Sequence, residues 1–400
     1  MIRPKLPRLR SLFRGADVAA LAIVAFLFSS SAVRAAESLD FVPEAYRRDL
    51  TERLKDSETP GNESRRAWFD SLRKAPEAHR HAFAFLLANM PETDFESLKP
   101  DFVARNIELA YQARKASPWA AAVPEELFFE QVLPYASVNE RRDDWRKDFM
   151  DRFLPMVRDL KTADEVVKKL NIEVFKTFGV AYHPTKRPKP DQSPYESIEA
   201  KFASCTGLSI LLIDACRAVG IPARFVGVPQ WTTVRGNHSW VEVFTDQWRF
   251  VGACEPSKLD ETWFVGNASK ADESDPMKRI YASSFRKTGE HFPLIWDRSA
   301  KWVPAENVTR WYTKRRAVDI DPKAKGKGDT LVVRDEGRIV AFVPLAEATS
   351  LALPWGRDYR WSIVGGDGKP LAEGEVTVPE TGEAAWKGLE RLSVSLTDDN

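Results

Sequence analysis

Cysteine is scarce: three occur in 400 residues, Cys205, Cys216 and Cys254. A disulfide framework would need more, and usually an even number. No Cys-x-x-Cys pair is present, and none of the five histidines joins a cluster at ligand spacing, so no metal site is expected. His79 and His81 lie on a helix read as exposed, where alternate residues face apart. Net charge is almost absent. The 59 Lys and Arg against 58 Asp and Glu leave +1, no electrostatic reason to expect a nucleic-acid partner. No calcium-loop motif appears, and nothing implies a cofactor. Beyond the N-terminus no apolar run is long enough to cross a membrane.

Aromatic residues, by contrast, reach 11% with 13 Trp, which argues against global disorder. Four hundred residues allow two or three domains. Arg3, Lys5, Arg8, Arg10 and Arg14 form a basic segment ahead of a short apolar run from Val18 to Phe28. Val33-Arg34-Ala35 then offers small residues for cleavage after Ala35. Residues 1–35 therefore read as a signal peptide. The expectation is an exported protein, periplasmic or extracellular, with no stable membrane span after cleavage.

Residues 36–180 read as a series of short helices, separated by Pro91, Pro100, Pro118, Pro124, Pro134 and Pro155. Ala45 to Leu54 is amphipathic. Asn62 to Leu72 reads as a capped helix with Ala67, Trp68 and Leu72 turned inward. A proline-rich loop from Tyr182 to Tyr195 leads into a core at 181–318. There Ser204 to Val219 reads as a helix stopped by Gly220 and Pro222. Ala223 to Val228, Ser239 to Phe244 and Trp248 to Val251 read as strands. After a Lys/Gly linker from Lys323 to Asp329, short β-type runs and the turn Gly365-Gly366-Asp367-Gly368 indicate a small all-β domain at 330–396. The layout is α+β: a helical N-terminal region, a helix packed on an antiparallel sheet, and an all-β C-terminal part.

The chemistry-bearing residues fall in this core. Cys205 opens a helix, where unpaired N–H groups favour a thiolate and can hold an oxyanion. His238 opens a strand and could serve as base to that thiol. Glu255 follows the third strand and could orient the imidazole. Glu242 and Asp246 are rival acids, though Glu242, on the same strand face as His238, is too far along it for easy contact. Gln192 is a candidate side-chain oxyanion donor beside the Cys205 N–H. Trp231 and Trp240 suit either a cleft wall or plain core. Arg217 and Arg224 call for carboxylate partners within the fold. Cys216, mid-helix on an apolar face, reads as core.

Cys205-Thr206-Gly207, Arg217 to Arg224 and Gly236-Asn237-His238-Ser239-Trp240-Val241-Glu242-Val243 together resemble the core of the transglutaminase-like superfamily. The resemblance is strong over Ser193–Phe264 and looser back through Pro124–Phe128 and Val132–Tyr135. It implies a papain/transglutaminase-like fold with a Cys-His-Asp triad, in which Cys205 is the nucleophile and His238 the base. Glu255-Pro256 stands where most members have Asp-Pro. The implied function is an exported cysteine-dependent acyl transfer on peptide-type amides through a thioester, as peptidase, amidase or transamidase, with a peptide or protein substrate. Hydrolysis is favoured, since water is always present. The alternative is a catalytically inactive scaffold that binds protein or glycan. The sequence names neither the substrate nor an oligomeric state.

Overall fold

The structure is a computed structural model and describes residues 39–57, 59–324, 328 and 330–389. The expected signal peptide lies outside the described residues, as do most of the Lys/Gly linker and the last residues of the expected β domain.

Contacts divide the chain at Ala84/Phe85 into two units. The first is helical. It holds Glu44–Arg53, Glu63–Lys74 and the start of Glu77–Asn89. Trp68 and Leu72 are buried as the periodicity predicts, whereas Ala67 is exposed. Asn62 stands at the helix start without a side-chain capping bond. Residues 82–88 are buried on every side, so the helix carrying His79 and His81 is not the exposed element the sequence suggested.

In the second unit, helices Pro100–Lys115, Arg146–Val157 and Ala163–Phe178 pack around Cys205–Ala218. Local chemistry explains the bounds of Ala163–Phe178. Thr162 and Glu165 form a reciprocal capping box, and Gly179 closes the C-terminus in the left-handed region. Leu127 leads into a π-helical turn, Phe128–Val132, that no sequence periodicity indicated. The Cys205–Ala218 helix is buried from Thr206 to Ala218, all round rather than on one face. Gly220, with φ +90, ends its turn where a Cβ would lie 2.8 Å from Ala120 Cβ.

Two short strands, β1 (Ala181–Tyr182) and β2 (Phe202–Ala203), pair in parallel beside the start of this helix. Then come β3 (Ala223–Val228), β4 (His238–Phe244) and β5 (Trp248–Val251), the antiparallel meander expected. Adding β6 (Tyr281–Ser283), β7 (Glu290–His291) and β8 (Pro304–Asn307) gives a six-stranded sheet in the order β5-β4-β3-β6-β8-β7. Period-2 alternation splits β4 between two cores. Val241 and Val243 pack with the Cys205–Ala218 helix. Trp240 packs on the opposite face with Val226, Trp231, Phe250 and Phe264.

The remaining strands are β9 (Arg315–Asp319), β10 (Thr330–Asp335), β11 (Arg338–Pro344), β12 (Ser350–Pro354), β13 (Arg357–Val364), β14 (Pro370–Val378) and β15 (Ala385–Lys387). Five form a sheet in the order β11-β10-β13-β14-β15, and β12 pairs with β9. The pairing of β9 with β12 was not visible in the sequence. The turn after β4 ties the six-stranded sheet to both the five-stranded sheet and the β9–β12 pair. Phe342 N–H donates to Asp246 O at 2.7 Å, and Ala352 N–H to Gln247 Oε1 at 3.0 Å.

Candidate active site

Cys205 is the first residue of its helix, with Ser204 preceding it in extended conformation. This is the position the sequence predicted. Gly207, one turn in, sits against Ala203, Ser197 and Gln192, where an added Cβ would lie 3.0–3.3 Å from their side chains. Glycine thus lets the helix start approach β2 closely. The Cys205 thiol is half-buried. Burial pushes it up from the usual thiol range, while backbone N–H groups of Ser239 and Thr206 pull it back toward ionisation. Thr206 Oγ1 and Ser239 Oγ lie 3.3 Å apart. The β4 residue that meets the cysteine is therefore Ser239.

His238 opens β4, opposite Val228 in β3. Its ring lies among aromatic rings on the sheet face away from the helix. Trp263 and Phe264 stand 4.9 Å from it, Trp240 5.9 Å and Trp231 6.2 Å, centroid to centroid. Nε2 is buried without a hydrogen-bond partner. Burial lowers the imidazole to about 4, so at neutral pH it is an uncharged base. The unfolded chain protonates this histidine near pH 6.5, and the folded chain does so near 4. Stability should therefore be highest above 6.5 and fall as pH drops to 4, by about 3 kcal/mol from this group. Urea titrations between pH 7 and 4 should show that slope, and His238→Phe should remove this share of it. An unchanged slope would mean the ring is already hydrated.

Glu255 accepts a hydrogen bond from Trp263 Nε1 at 2.9 Å, and burial raises its carboxyl despite that bond. The turn before it is held from 81–84 residues away. Asn171 Nδ2 donates to Gly252 O at 3.0 Å and to Glu255 O at 2.9 Å, and Asn171 Oδ1 accepts from Cys254 N–H at 2.9 Å. Cys254 stands at φ +64, a left-handed conformation costly for a residue with a Cβ. A Cβ at Gly252 would meet the Glu255 carboxylate, which would have to turn aside. Trp263, 63% exposed, thus links Glu255 to His238, bonding one and packing on the other. Neither Asn171 nor Trp263 was singled out by sequence reasoning; only the three-dimensional neighbourhood identifies them.

The other candidates fall into place as framework. Glu242 binds Arg224 at 2.7 Å and accepts from Tyr312 Oη, which itself accepts from Trp240 Nε1. Arg224 also pairs with Glu306 at 3.3 Å, meeting the expectation of an internal carboxylate partner. Arg217 does not meet it in the same way. Its guanidinium donates to the carbonyls of Gln131, Ala223, Pro134 and Ala136. Gln192 Nε2 donates to Phe202 O at 3.0 Å and is engaged within the fold. Asp246 bonds Thr245 and Arg249 at the β4–β5 turn. Trp231 and Trp240 are buried and stacked, 6.1 Å apart with planes 3° from parallel. Cys216 is buried, and burial pushes it up to about 12, as suits an inert core thiol. All three cysteines are free, so Cys216 and Cys254 do not pair. Among the described residues no group of three or more His, Cys, Asp or Glu is placed to hold a metal, and no helix is long and apolar enough to cross a membrane.

A thiol at a helix start thus stands beside a histidine-led strand of an antiparallel sheet. By sequence, residues 154–253 are similar to the transglutaminase-like superfamily. The match begins earlier than the strong part of the motif resemblance, taking in the Ala163–Phe178 helix, and ends two residues before Glu255. No curated protein matches the chain. A solved structure described as a "putative cysteine protease" from Cytophaga hutchinsonii is similar at 14% identity with a TM-score of 0.28. That alignment covers 48% of this chain and 66% of the other, just under two thirds of its length.

Proposed function

We propose that this chain is an exported cysteine-dependent acyl-transfer enzyme acting on peptide-type amides. Cys205 is the nucleophile, His238 the base and Glu255 the acid that orients the imidazole. The observation that carries the reading is the Cys205 thiol, half-buried at the start of the central helix and touched by two backbone N–H donors. Those donors lie where they can also hold charge developing on a carbonyl oxygen.

Burial of both groups leaves the thiol protonated and the imidazole neutral at rest, and opposes proton transfer until the ring leaves its apolar surroundings. His238 must turn from its aromatic box toward Cys205, and as the first residue of β4 it adjoins the 229–237 loop. Sγ then attacks the carbonyl carbon as its proton passes to the imidazole. The tetrahedral adduct collapses to a thioester, and the imidazolium protonates the departing amine. Water, activated by the same imidazole, cleaves the thioester to a carboxylic acid and restores the thiol. An amine in place of water gives transamidation.

A peptide-mapped alkylation series with iodoacetamide on the folded protein tests the pairing. Cys205 is expected to react at least tenfold faster than Cys254 at neutral pH, and His238→Ala to remove that advantage. Equal rates at the two thiols would sink the proposal. They would favour the second reading, an inactive scaffold, which the unpartnered Nε2 of His238 supports.

A further inference from the structure

A cavity of about 850 Å³ opens between the six-stranded and five-stranded sheets, and none of the three proposed catalytic residues lines it. Its volume is that of a small-ligand site. Its wall includes Glu130 and Gln131 from the π-helical turn, a local irregularity found often at functional sites. The wall is rich in charge, yet that charge is already spent. Seven of its eight carboxylates and all four of its arginines stand in ion pairs. A phosphate or nucleotide would have to break one of these pairs to gain a counter-charge. A polyamine would find one unpaired carboxylate, the exposed Asp358, at the rim of the wall. A neutral ligand needs no counter-charge. It could use the remaining lone pairs and N–H groups of side chains that the pairs hold rigid.

Gln131 adds a specific demand. It is 1% exposed, and its Oε1 has no hydrogen-bond partner. A buried acceptor left unpaired costs about 1–3 kcal/mol, which a ligand hydroxyl would recover. Trp311, half-buried in the same wall, offers an aromatic surface to the C–H face of a sugar ring. A peptide would need apolar recesses for its side chains, and this lining is mainly polar. We propose that this cavity binds a neutral oligosaccharide, independently of the chemistry at Cys205.

Isothermal titration calorimetry on the full chain tests it, with maltotetraose, cellotetraose and tri-N-acetylchitotriose as probes. Spermidine, inorganic phosphate and an uncharged Gly-Ser hexapeptide are the controls. One saccharide is expected to bind one-to-one. Gln131→Leu should weaken it about tenfold, the worth of one buried hydrogen bond. Asp358→Ala alters an exposed carboxylate outside the ion pairs, so folding is not at risk, and should weaken binding about threefold. The proposal is overturned if none of the three saccharides binds at millimolar concentration. It is equally overturned if both variants bind as the parent does, or if any control binds more tightly than the sugars.

Discussion

Replacing Cys205 by Ala should lower cleavage of a fluorogenic peptidyl-amide library by at least about 10³-fold while leaving the unfolding midpoint nearly unchanged. Removing one member of a nucleophile–base unit abolishes the route through it, and losses of this size are typical of such units. Stability should hold because the thiol is half-buried and no disulfide or metal depends on it. Cys205→Ser should be equally inactive, since a hydroxyl is a far weaker acid than a thiol and the neutral imidazole must deprotonate it. Cys216→Ala serves as the control. Its thiol is buried in the same helix and should affect folding rather than turnover. His238→Ala should approach the loss seen for Cys205→Ala. Glu255→Gln should cost less, because the Glu255 carboxylate is bonded to Trp263 rather than to the imidazole. If the Cys205→Ala protein retained parental activity, the nucleophile would lie elsewhere.

The largest effect on stability is expected at Arg146. This side chain is 2% exposed, and its guanidinium makes five hydrogen bonds. Nε donates to Asn106 Oδ1 at 2.7 Å. The two terminal nitrogens donate to the carbonyls of Arg217 at 3.0 Å, Val132 at 2.8 Å, and Leu133 and Pro134 at 3.1 Å each. One planar fork thus joins the π-helical turn and its exit to the last turn of the Cys205–Ala218 helix. The plane also lies over the Trp145 ring at 4.6 Å. Burial lowers Arg146 to about 9 and Arg217 to about 10, a sign of how strongly both are desolvated. Arg146→Ala would leave several buried carbonyls without donors, and about 3–5 kcal/mol should be lost. Against a typical total of about 5–15 kcal/mol, that is a large share. Arg146→Lys should recover only part, because an ammonium cannot serve the same fan of carbonyls. Urea unfolding measures both. A loss under about 1 kcal/mol would mean that water replaces the guanidinium.

Much of the core was legible residue by residue. The helix from Cys205, the strands Ala223–Val228 and Trp248–Val251 and the turn at Gly365–Gly368 follow from local rules. Apolar periodicity, stop residues and turn residues act within a few positions, so a linear reading captures them. The same holds for Thr330–Asp335 and Arg338–Pro344, each a compact β-type run. The Phe128–Val132 π-helical turn was not legible, since an extra residue within a helical turn leaves no periodic trace. Nor was the β9–β12 pairing. It joins Arg315–Asp319 to Ser350–Pro354 across a separation that no local propensity encodes.

The sequence by itself determined the order of parts at the site: thiol at a helix start, histidine at a strand start, carboxylate after the next strand. It also determined that His238, Trp240 and Glu242 share one strand face, because side chains alternate with period 2. Only the tertiary structure decided which of the two faces the helix would cover. It covers Ser239, Val241 and Val243, which puts Ser239 against Cys205 and turns the His238 ring into an aromatic box. Tertiary contacts likewise gave the Glu255 carboxylate to Trp263 and its turn to Asn171. Alternation along a strand is a local property of the backbone. The face that meets a helix is set by packing between segments far apart in the chain, and that packing has no signature in the order of residues alone.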